Sequence, residues 1–216
     1  MTLSPTSPPT ETASATPSPT VTASQTPVPT YVTLRGKVIV DQAVCHYGPG
    51  APYLYKYAVI RDSNLEIIAR VARGTYIQVQ AIGGDNPCWV NPQWMEIQGD
   101  LNSVRPMNAE DVQLPWTPYY SQPPTGVSAQ RQGNEVTVSW NPVTLKAGDD
   151  SEQVPYVIEA WVCQDGNFVF TPLGAWQTQA TIVDEPGCQE PSHARLLASE
   201  KHGYLPGAEI PWPLAE

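Results

Sequence analysis

Four cysteines divide evenly between the two halves of the chain, and they constrain its fold more than any other feature. Cys45 and Cys88 lie in one β-rich stretch, and Cys163 and Cys188 lie in a second. No two of them have the CxxC spacing of a metal or redox motif. We therefore predict one disulfide bond in each of two small domains, formed in an oxidising compartment. The alternative that these residues leave open is a cytosolic protein with four free thiols.

The charge of the chain excludes two classes of partner. The formal net charge is −10 at pH 7, and most of the acidic excess falls after residue 100. An acidic surface repels phosphate groups, so we expect no nucleic-acid partner and no charge-driven binding to anionic lipid. No apolar run approaches the roughly 20 residues that a membrane-spanning helix needs.

Residues 1–30 consist mainly of Ser, Thr and Pro and predict a disordered stalk. That composition cannot bury a core, and its prolines favour an extended polyproline II conformation. The segment after Met1 has neither the basic nor the apolar region of a signal peptide. Because disulfide bonds imply export, we expect a truncated N-terminus, with an export signal or anchor that precedes this sequence.

Residues 31–100 predict several short strands. The runs GKVIV, LEIIARV and TYIQVQAI are rich in β-branched residues, and the turn signals ARG and GGDNP follow two of them. Short strands that are separated by turns about every ten residues are typical of a small barrel.

The same stretch resembles bacterial SH3-like (SH3b) domains. Its segment VCHYGPGAPY is similar to their VRxGPGxxY motif, RGTYIQV to their GGWxxV motif and PCWVNPQWM to their closing GWVxxxyL motif. The resemblance implies an SH3-like barrel in which the strands of Cys45 and Cys88 lie close together. It also implies a tight loop at residues 48–50 with glycine at positive φ, and a ligand that is a cell-wall (peptidoglycan) peptide or another peptide.

Residues 101–121 lack sustained periodicity and predict an interdomain connector. Several prolines limit the freedom of this segment. Trp116, Tyr119 and Tyr120 are too apolar for a free linker, so we expect them to pack on one domain or between the two.

Residues 122–216 predict a β-sandwich. Val136, Val138 and Trp140 alternate with polar residues and are expected to face its core. The opening PPTGVSAQRQGNEVTVSWNPV resembles fibronectin type III domains, as do YVIEAWVC and ARLLASEKHG further along. In that register Trp161 faces away from Ile158 and is expected at the surface.

The second resemblance implies a role for the second disulfide bond. The family's corner tyrosine would fall at Ser192, and serine cannot make the tyrosine's clamp. Cys188 precedes Ser192 in the same loop, and Cys163 ends the third strand at the same pole of the sandwich. We infer that a Cys163–Cys188 bond replaces the clamp.

The residues predict no catalytic, metal or cofactor site. His46, His193 and His202 are not paired at ligand spacing, and no GxSxG, HExxH or P-loop pattern occurs. The acidic loop AGDDSEQ offers carboxylates to calcium, but it lacks ligands at alternate positions and predicts a solvated loop instead.

Aromatic side chains are the remaining candidates for ligand binding. Tyr53, Tyr55 and Tyr57 alternate in YLYKY, so one face of that segment is expected to carry three phenols. Tyr47 and Trp94 belong to segments that flank the binding groove in SH3-like barrels, and they complete the predicted site. Such grooves bind peptides or sugar faces by stacking. The alternative is that these rings fill the core of a domain.

These features predict an extracellular or cell-surface binding or adaptor protein without enzymatic activity. The SH3-like module would recognise a peptide, and the fibronectin type III-like module would act as a spacer or a protein-contact surface. Two alternatives stay open. One is a purely structural spacer, and the other is a targeting fragment of a larger wall hydrolase or sensor kinase.

Overall fold

The first half of the chain forms one curled sheet. In a computed structural model that describes Met1 and residues 30–215, the strand order is β3-β2-β6-β5-β4-β1-β7, and β8 pairs in parallel with the end of β4. The strands are β1 (Leu34–Val38), β2 (Gln42–His46), β3 (Tyr55–Ile60), β4 (Asn64–Val71), β5 (Ile77–Ala81), β6 (Cys88–Val90), β7 (Met95–Gln98) and β8 (Pro106–Met107). The stalk predicted for residues 1–30 lies, apart from its two end positions, outside the described residues.

Alternation of side chains builds the core of this first sheet. Along β4, Leu65, Ile67, Ala69 and Val71 are buried, while the residues between them are not. The bond between Cys45 and Cys88 lies in the same core and joins β2 to β6, with 5.4 Å between the two Cα atoms. The first predicted disulfide bond is thus present.

The predicted connector is partly built into the first sheet. This connector contains β8 and two 3₁₀ turns, Leu101–Ser103 and Ala109–Asp111. Val104, Ala109 and Leu114 are buried, so they anchor the segment. Tyr120 packs on the sandwich core, as expected. Trp116 and Tyr119 are exposed, contrary to the packing that we expected of them.

The second half of the chain is a two-sheet sandwich. One sheet has the order β13-β10-β9, and the other has the order β12-β11-β14-β15, with β16 paired to β14. The strands are β9 (Ser128–Gln132), β10 (Glu135–Ser139), β11 (Tyr156–Gln164), β12 (Asn167–Ala175), β13 (Gln179–Val183), β14 (His193–Glu200), β15 (Gly203–Tyr204) and β16 (Ala208–Glu209). Val136, Val138 and Trp140 lie in the core between the sheets, as predicted. The protein is therefore all-β with a β-sandwich, which confirms the predicted fold class, whereas the SH3b resemblance of the first sheet stays a prediction.

Strand β11 is buried on both of its faces. Ile158 and Ala160 point into the sandwich core, whereas Val157 and Trp161 belong to a second apolar cluster that also contains Trp89 from β6. Trp161 is only 7% exposed. The prediction that it lies at the surface is wrong, because the first sheet covers the outer face of β11. Residues 31–216 accordingly form one compact unit.

Glycines at residues 48–50 allow the two halves to approach closely. A Cβ atom on Gly50 would lie 2.4 Å from Cγ of Pro172 in β12, and a Cβ atom on Gly48 would lie 2.2 Å from the ring of Tyr53. Neither glycine has a positive φ, so the conformational reason expected from the sequence is wrong. Gly50 leaves room for Pro172 of the sandwich, and Gly48 leaves room for the ring of Tyr53 within the first half of the chain.

Candidate functional site

A groove opens between β3 and β5 on the first sheet. Its volume is about 670 Å³, which lies within the range of small-ligand sites. The buried side chains of Leu65 and Val79 and the half-buried side chain of Val59 form its apolar lining, together with Cys88 of the first disulfide bond. Tyr57 adds an aromatic wall.

The rim of the groove is polar and acidic. Among the lining residues that the structure describes, Asp85 alone carries a charge. Strand β3 is the terminal strand of the sheet, and among residues 30–215 it pairs with β2 alone, so its other backbone edge has no sheet partner in that range. An extended peptide can add to such an edge through main-chain hydrogen bonds, while alternate side chains enter the groove.

A second, smaller cleft adjoins this groove. It has a volume of about 400 Å³, and its lining includes Tyr47, Lys56, Gln78 and Met107. The Nζ atom of Lys56 lies 5.3 Å from the ring centroid of Tyr47 and 5.9 Å from that of Tyr57. Burial lowers the pKa of Lys56 below its usual value.

Two hydrogen bonds form the ridge between the groove and the cleft. The Tyr57 hydroxyl donates to the carbonyl of Asn86, and Lys56 Nζ donates to the carbonyl of Pro87 over 2.7 Å. Tyr57 and Asn86 line the groove, while Lys56 and Pro87 line the cleft. The two cavities therefore share one wall.

The structure disperses the five aromatic residues that the sequence places in one ligand site. Tyr57 lines the groove and Tyr47 lines the cleft. Trp94 lies in the 3₁₀ turn Pro92–Trp94, is half-buried and packs on the core of the first sheet. Tyr55 is 48% exposed, and its backbone N–H donates to Oε1 of Gln153 in the sandwich.

Tyr53 requires a correction. It precedes β3, so the expected alternation with the other tyrosines does not apply, and its side chain is only 2% exposed. Its hydroxyl donates to Oε1 of Glu159 on β11. Tyr53 thus joins the two halves of the chain and is closed to a ligand.

Sequence reasoning missed the polar centre of this junction. Glu159 is 1% exposed, and its other oxygen, Oε2, accepts a hydrogen bond from Nε of Arg195. Burial, together with the neighbouring Glu159, raises the pKa of Tyr53 well above its usual value. The signal in the sequence was a glutamate inside the apolar run VIEAWVC, which predicts either a solvent-facing position or a buried partner.

A second buried carboxylate, Asp184, organises one end of the sandwich. Its Oδ1 atom accepts hydrogen bonds from the Ser192 hydroxyl and the Cys163 N–H, and its Oδ2 atom from Trp212 Nε1 and Arg131. Burial by itself would raise the pKa of Asp184, but these hydrogen bonds lower it below its usual value. Ser192, where the fibronectin type III resemblance would place a tyrosine, is held by its hydrogen bond to Asp184.

The predicted second disulfide bond lies at the same end. Cys163 and Cys188 are bonded, with 5.7 Å between their Cα atoms. The clamp role inferred for this bond stays a prediction. Asp184 also accepts a hydrogen bond from the backbone N–H of Cys163.

The acidic loop is engaged within the protein. Asp149 accepts a hydrogen bond from the Tyr120 hydroxyl and forms an ion pair with Lys201 over 3.0 Å. Within the described residues, no cluster of three or more His, Cys, Asp or Glu side chains is arranged to hold a metal ion. None of the helices described in the chain is both long and apolar enough to cross a membrane.

Comparison with known proteins yields structural similarities alone. No family model matches the chain, and no curated protein matches it. Similar solved structures include domains A168–A170 of titin (12% identity, 69% of this chain and 61% of that chain, TM-score 0.33). They also include chicken CNTN1 FN1–FN3 domains (15% identity, 83% and 55%, TM-score 0.31). A third is a DUF3823 family protein from Bacteroides ovatus (17% identity, 82% and 97%, TM-score 0.30).

These likenesses have limited reach. The chain spans 17% of the length of the structure of titin kinase with its flanking domains, at 18% identity and a TM-score of 0.33. TM-scores in this range carry no weight here, so the fold is assigned from the strand order of the two sandwich sheets and the curled sheet.

Proposed function

We propose that this protein is an extracellular, non-enzymatic binding protein that holds an extended peptide in the groove between β3 and β5. The observation that carries the proposal is the groove itself, which combines an apolar floor with a free strand edge. Peptide recognition by strand addition needs both features, because the backbone supplies affinity and the pockets supply specificity. Two disulfide bonds support a location outside the cytosol.

The chemistry of the groove narrows the class of peptide. Asp85 lies at its rim, and the chain as a whole carries a net charge of −10. A peptide with a free amino group or a lysine side chain is complementary to this surface. Amine-bearing stem peptides of a bacterial cell wall meet that requirement, in agreement with the ligand class that the SH3b resemblance implies.

The sandwich supports the groove and presents it. Its sheet β12-β11-β14 packs against the first sheet, so the groove stands on a unit that includes both halves of the chain. In this arrangement the sandwich acts as a spacer and also supports the first sheet, which contains the groove.

Titration of the ¹⁵N-labelled protein with a soluble digest of bacterial peptidoglycan tests the proposal. We expect amide shifts concentrated at residues 57–59, 79–81 and 84–86. The variant Ala81→Arg places a bulky side chain at an exposed position of the groove lining, and should abolish the shifts. The control variant Ala147→Arg changes an exposed residue of the sandwich and should leave them intact.

Two results would contradict the proposal. One is the absence of groove shifts with both the digest and a pool of random-sequence peptides, which would favour a structural spacer. The other is that the Ala81→Arg and Ala147→Arg variants show equal amide shifts with the digest, which would mean that the ligand binds outside the groove.

A further inference from the structure

The cleft beside the groove contains Lys56, which forms no ion pair with the residues that the structure describes. Lys37 and Lys201 each form an ion pair with a carboxylate. No carboxylate of the described residues lies within ion-pair distance of Lys56, although Asp111 lines the same cleft. Lys56 is half-buried, so water compensates its charge less well than that of an exposed lysine.

The ammonium group is oriented but not saturated. An ammonium has three N–H donors, and the Pro87 carbonyl accepts one hydrogen bond from it. The rings of Tyr47 and Tyr57, at 5.3 and 5.9 Å, restrict the position of Nζ. Donors are thus left to face the cleft at a fixed point, as a carboxylate-binding site requires.

We infer that the cleft binds a carboxylate of the ligand, such as the C-terminal carboxylate of a peptide, with Lys56 as its partner. This inference rests on the proposed peptide-binding function and deepens it. A peptide in the groove has only to cross the ridge formed by the Tyr57–Asn86 and Lys56–Pro87 hydrogen bonds to place its end in the cleft beside Lys56. Gln78 and Gln113 also line the cleft, and their neutral amides are compatible with the uncharged polar groups of the peptide's C-terminal residue.

Asp111, a second charged residue of the cleft, is expected to weaken the binding of a carboxylate. Asp111 is exposed, and its Oδ2 atom accepts a hydrogen bond from Asn108 over 3.2 Å. Because it lines the same cleft, it repels an incoming carboxylate. Removal of this charge therefore strengthens the binding of a carboxylate, whereas removal of the Lys56 charge weakens it.

Two small probes test the inference without knowledge of the natural ligand. N-acetylalanine carries a carboxylate, and N-acetylalanine amide is its neutral counterpart of nearly the same shape. In ¹⁵N titrations at millimolar concentration, we expect the acid to shift the amides of Tyr47, Lys56 and Gln78. We expect it to bind about 10-fold or more tightly than the amide, in line with hydrogen bonds to charged groups.

Variants identify the partner of the carboxylate. Lys56→Met should reduce the affinity for the acid to that for the amide, and Lys56→Arg should restore most of it. Asp111→Asn should raise the affinity for the acid about two- to fivefold, as expected for an exposed charge. Lys146→Met, which removes an exposed lysine of the sandwich, is the matched control and should have no effect. The thermal midpoint of each variant shows whether it is folded.

The outcomes separate this inference from the proposed function. Equal shifts with the acid and the amide, or an unchanged response in folded Lys56→Met, would overturn the carboxylate site. The proposed peptide binding in the groove would still be supported if Ala81→Arg abolishes the amide shifts caused by the peptidoglycan digest. Binding of the acid at Lys56 with no peptide response in the groove would instead overturn the proposed function, and with it the peptide identity of the ligand.

Discussion

The two faces of strand β11 are both buried, yet they are built differently. The face toward the sandwich core carries Tyr156, Ile158, Ala160 and Val162, none of which is charged. The face toward the first sheet combines the apolar side chains of Val157 and Trp161 with the carboxylate of Glu159. The first face holds one module together, whereas the second joins two modules.

The difference shows how two small β modules can become one unit with a defined orientation. Apolar contact supplies most of the stabilising free energy, because it scales with buried area and has no direction. The hydrogen bonds from Tyr53 and Arg195 to Glu159 have direction, and a shifted interface would leave the carboxylate unpaired. The interface therefore has one geometry in which its polar centre is satisfied.

The largest effect is expected from Trp161→Ala. Removal of this ring opens a cavity in the apolar cluster that β11 shares with the first sheet. Within the sandwich, the ring centroid of Trp161 lies 5.1 Å from that of Phe170 and 4.9 Å from that of His193, on which it stacks. We expect the free energy of unfolding to fall by about 3–5 kcal/mol. Chemical denaturation measures this change. Trp176→Ala, which removes a 66% exposed ring, should stay within about 0.5 kcal/mol of the parent.

The same comparison can be sharpened with Ile158→Ala on the opposite face. This change opens a cavity in the sandwich core and should cost about 2–5 kcal/mol. It should leave unfolding a single transition, whereas Trp161→Ala should separate the unfolding of the two halves. A single transition in both variants would contradict the distinction between the two faces.

A smaller loss is expected from Glu159→Gln. The substitution keeps the shape of the side chain but leaves Arg195 without its counter-charge in a largely buried position. We expect a loss of about 3 kcal/mol in the free energy of unfolding. Glu135→Gln, at an exposed position of β10, provides the control. Equal stability of the two variants would show that the ion pair has no part in the junction.

A still smaller loss is expected from Tyr53→Phe. The variant keeps the packed ring and removes only the hydroxyl that donates to Glu159. A hydrogen bond to a charged group contributes about 1.5–3 kcal/mol, and we expect a loss near the lower limit because Arg195 still binds the carboxylate. Tyr55→Phe, at an exposed tyrosine, should be neutral. If both variants matched the parent in thermal denaturation, the Tyr53 bond would be irrelevant to stability.

The last expected effect is on the pH dependence of stability and comes from Asp184, which lies at the end of the sandwich and not in the interface. Its pKa is lowered in the folded protein, so its contribution to stability is complete above the unfolded aspartate pKa of about 3.9. The contribution is lost as the pH falls from there through the lower, folded pKa. We expect unfolding curves measured from pH 7 down to the acid limit to show this loss, and Asp184→Asn to reduce it. An acid limb that is unchanged in folded Asp184→Asn would contradict the role of this carboxylate.

Sequence patterns predicted much of the fold. The alternation of Val136, Val138 and Trp140 gave the correct inward face, and the placement of the cysteines gave both disulfide bonds. These features are local, or depend only on which segments form a module. The packing of one module on the other was not predicted, because it depends on surfaces that are far apart in the sequence.

The candidate site was harder to predict, for two physical reasons. Alternation applies only within a strand, and Tyr53 lies before β3, so its side chain does not follow the pattern of Tyr55 and Tyr57. The groove is lined mainly by small and aliphatic residues, which look like core residues in a sequence. Lys56 gave no signal, because an isolated lysine between two tyrosines resembles any exposed lysine until the folded chain brings Tyr47 and Pro87 beside it.

Differential scanning calorimetry of the full chain tests most directly whether the two modules form one unit. We predict one endotherm whose calorimetric enthalpy equals its van't Hoff enthalpy, as for a cooperative two-state unit. Two resolved transitions in the unaltered protein, each with its own midpoint, would mean that the first sheet and the sandwich unfold independently, and would contradict the account.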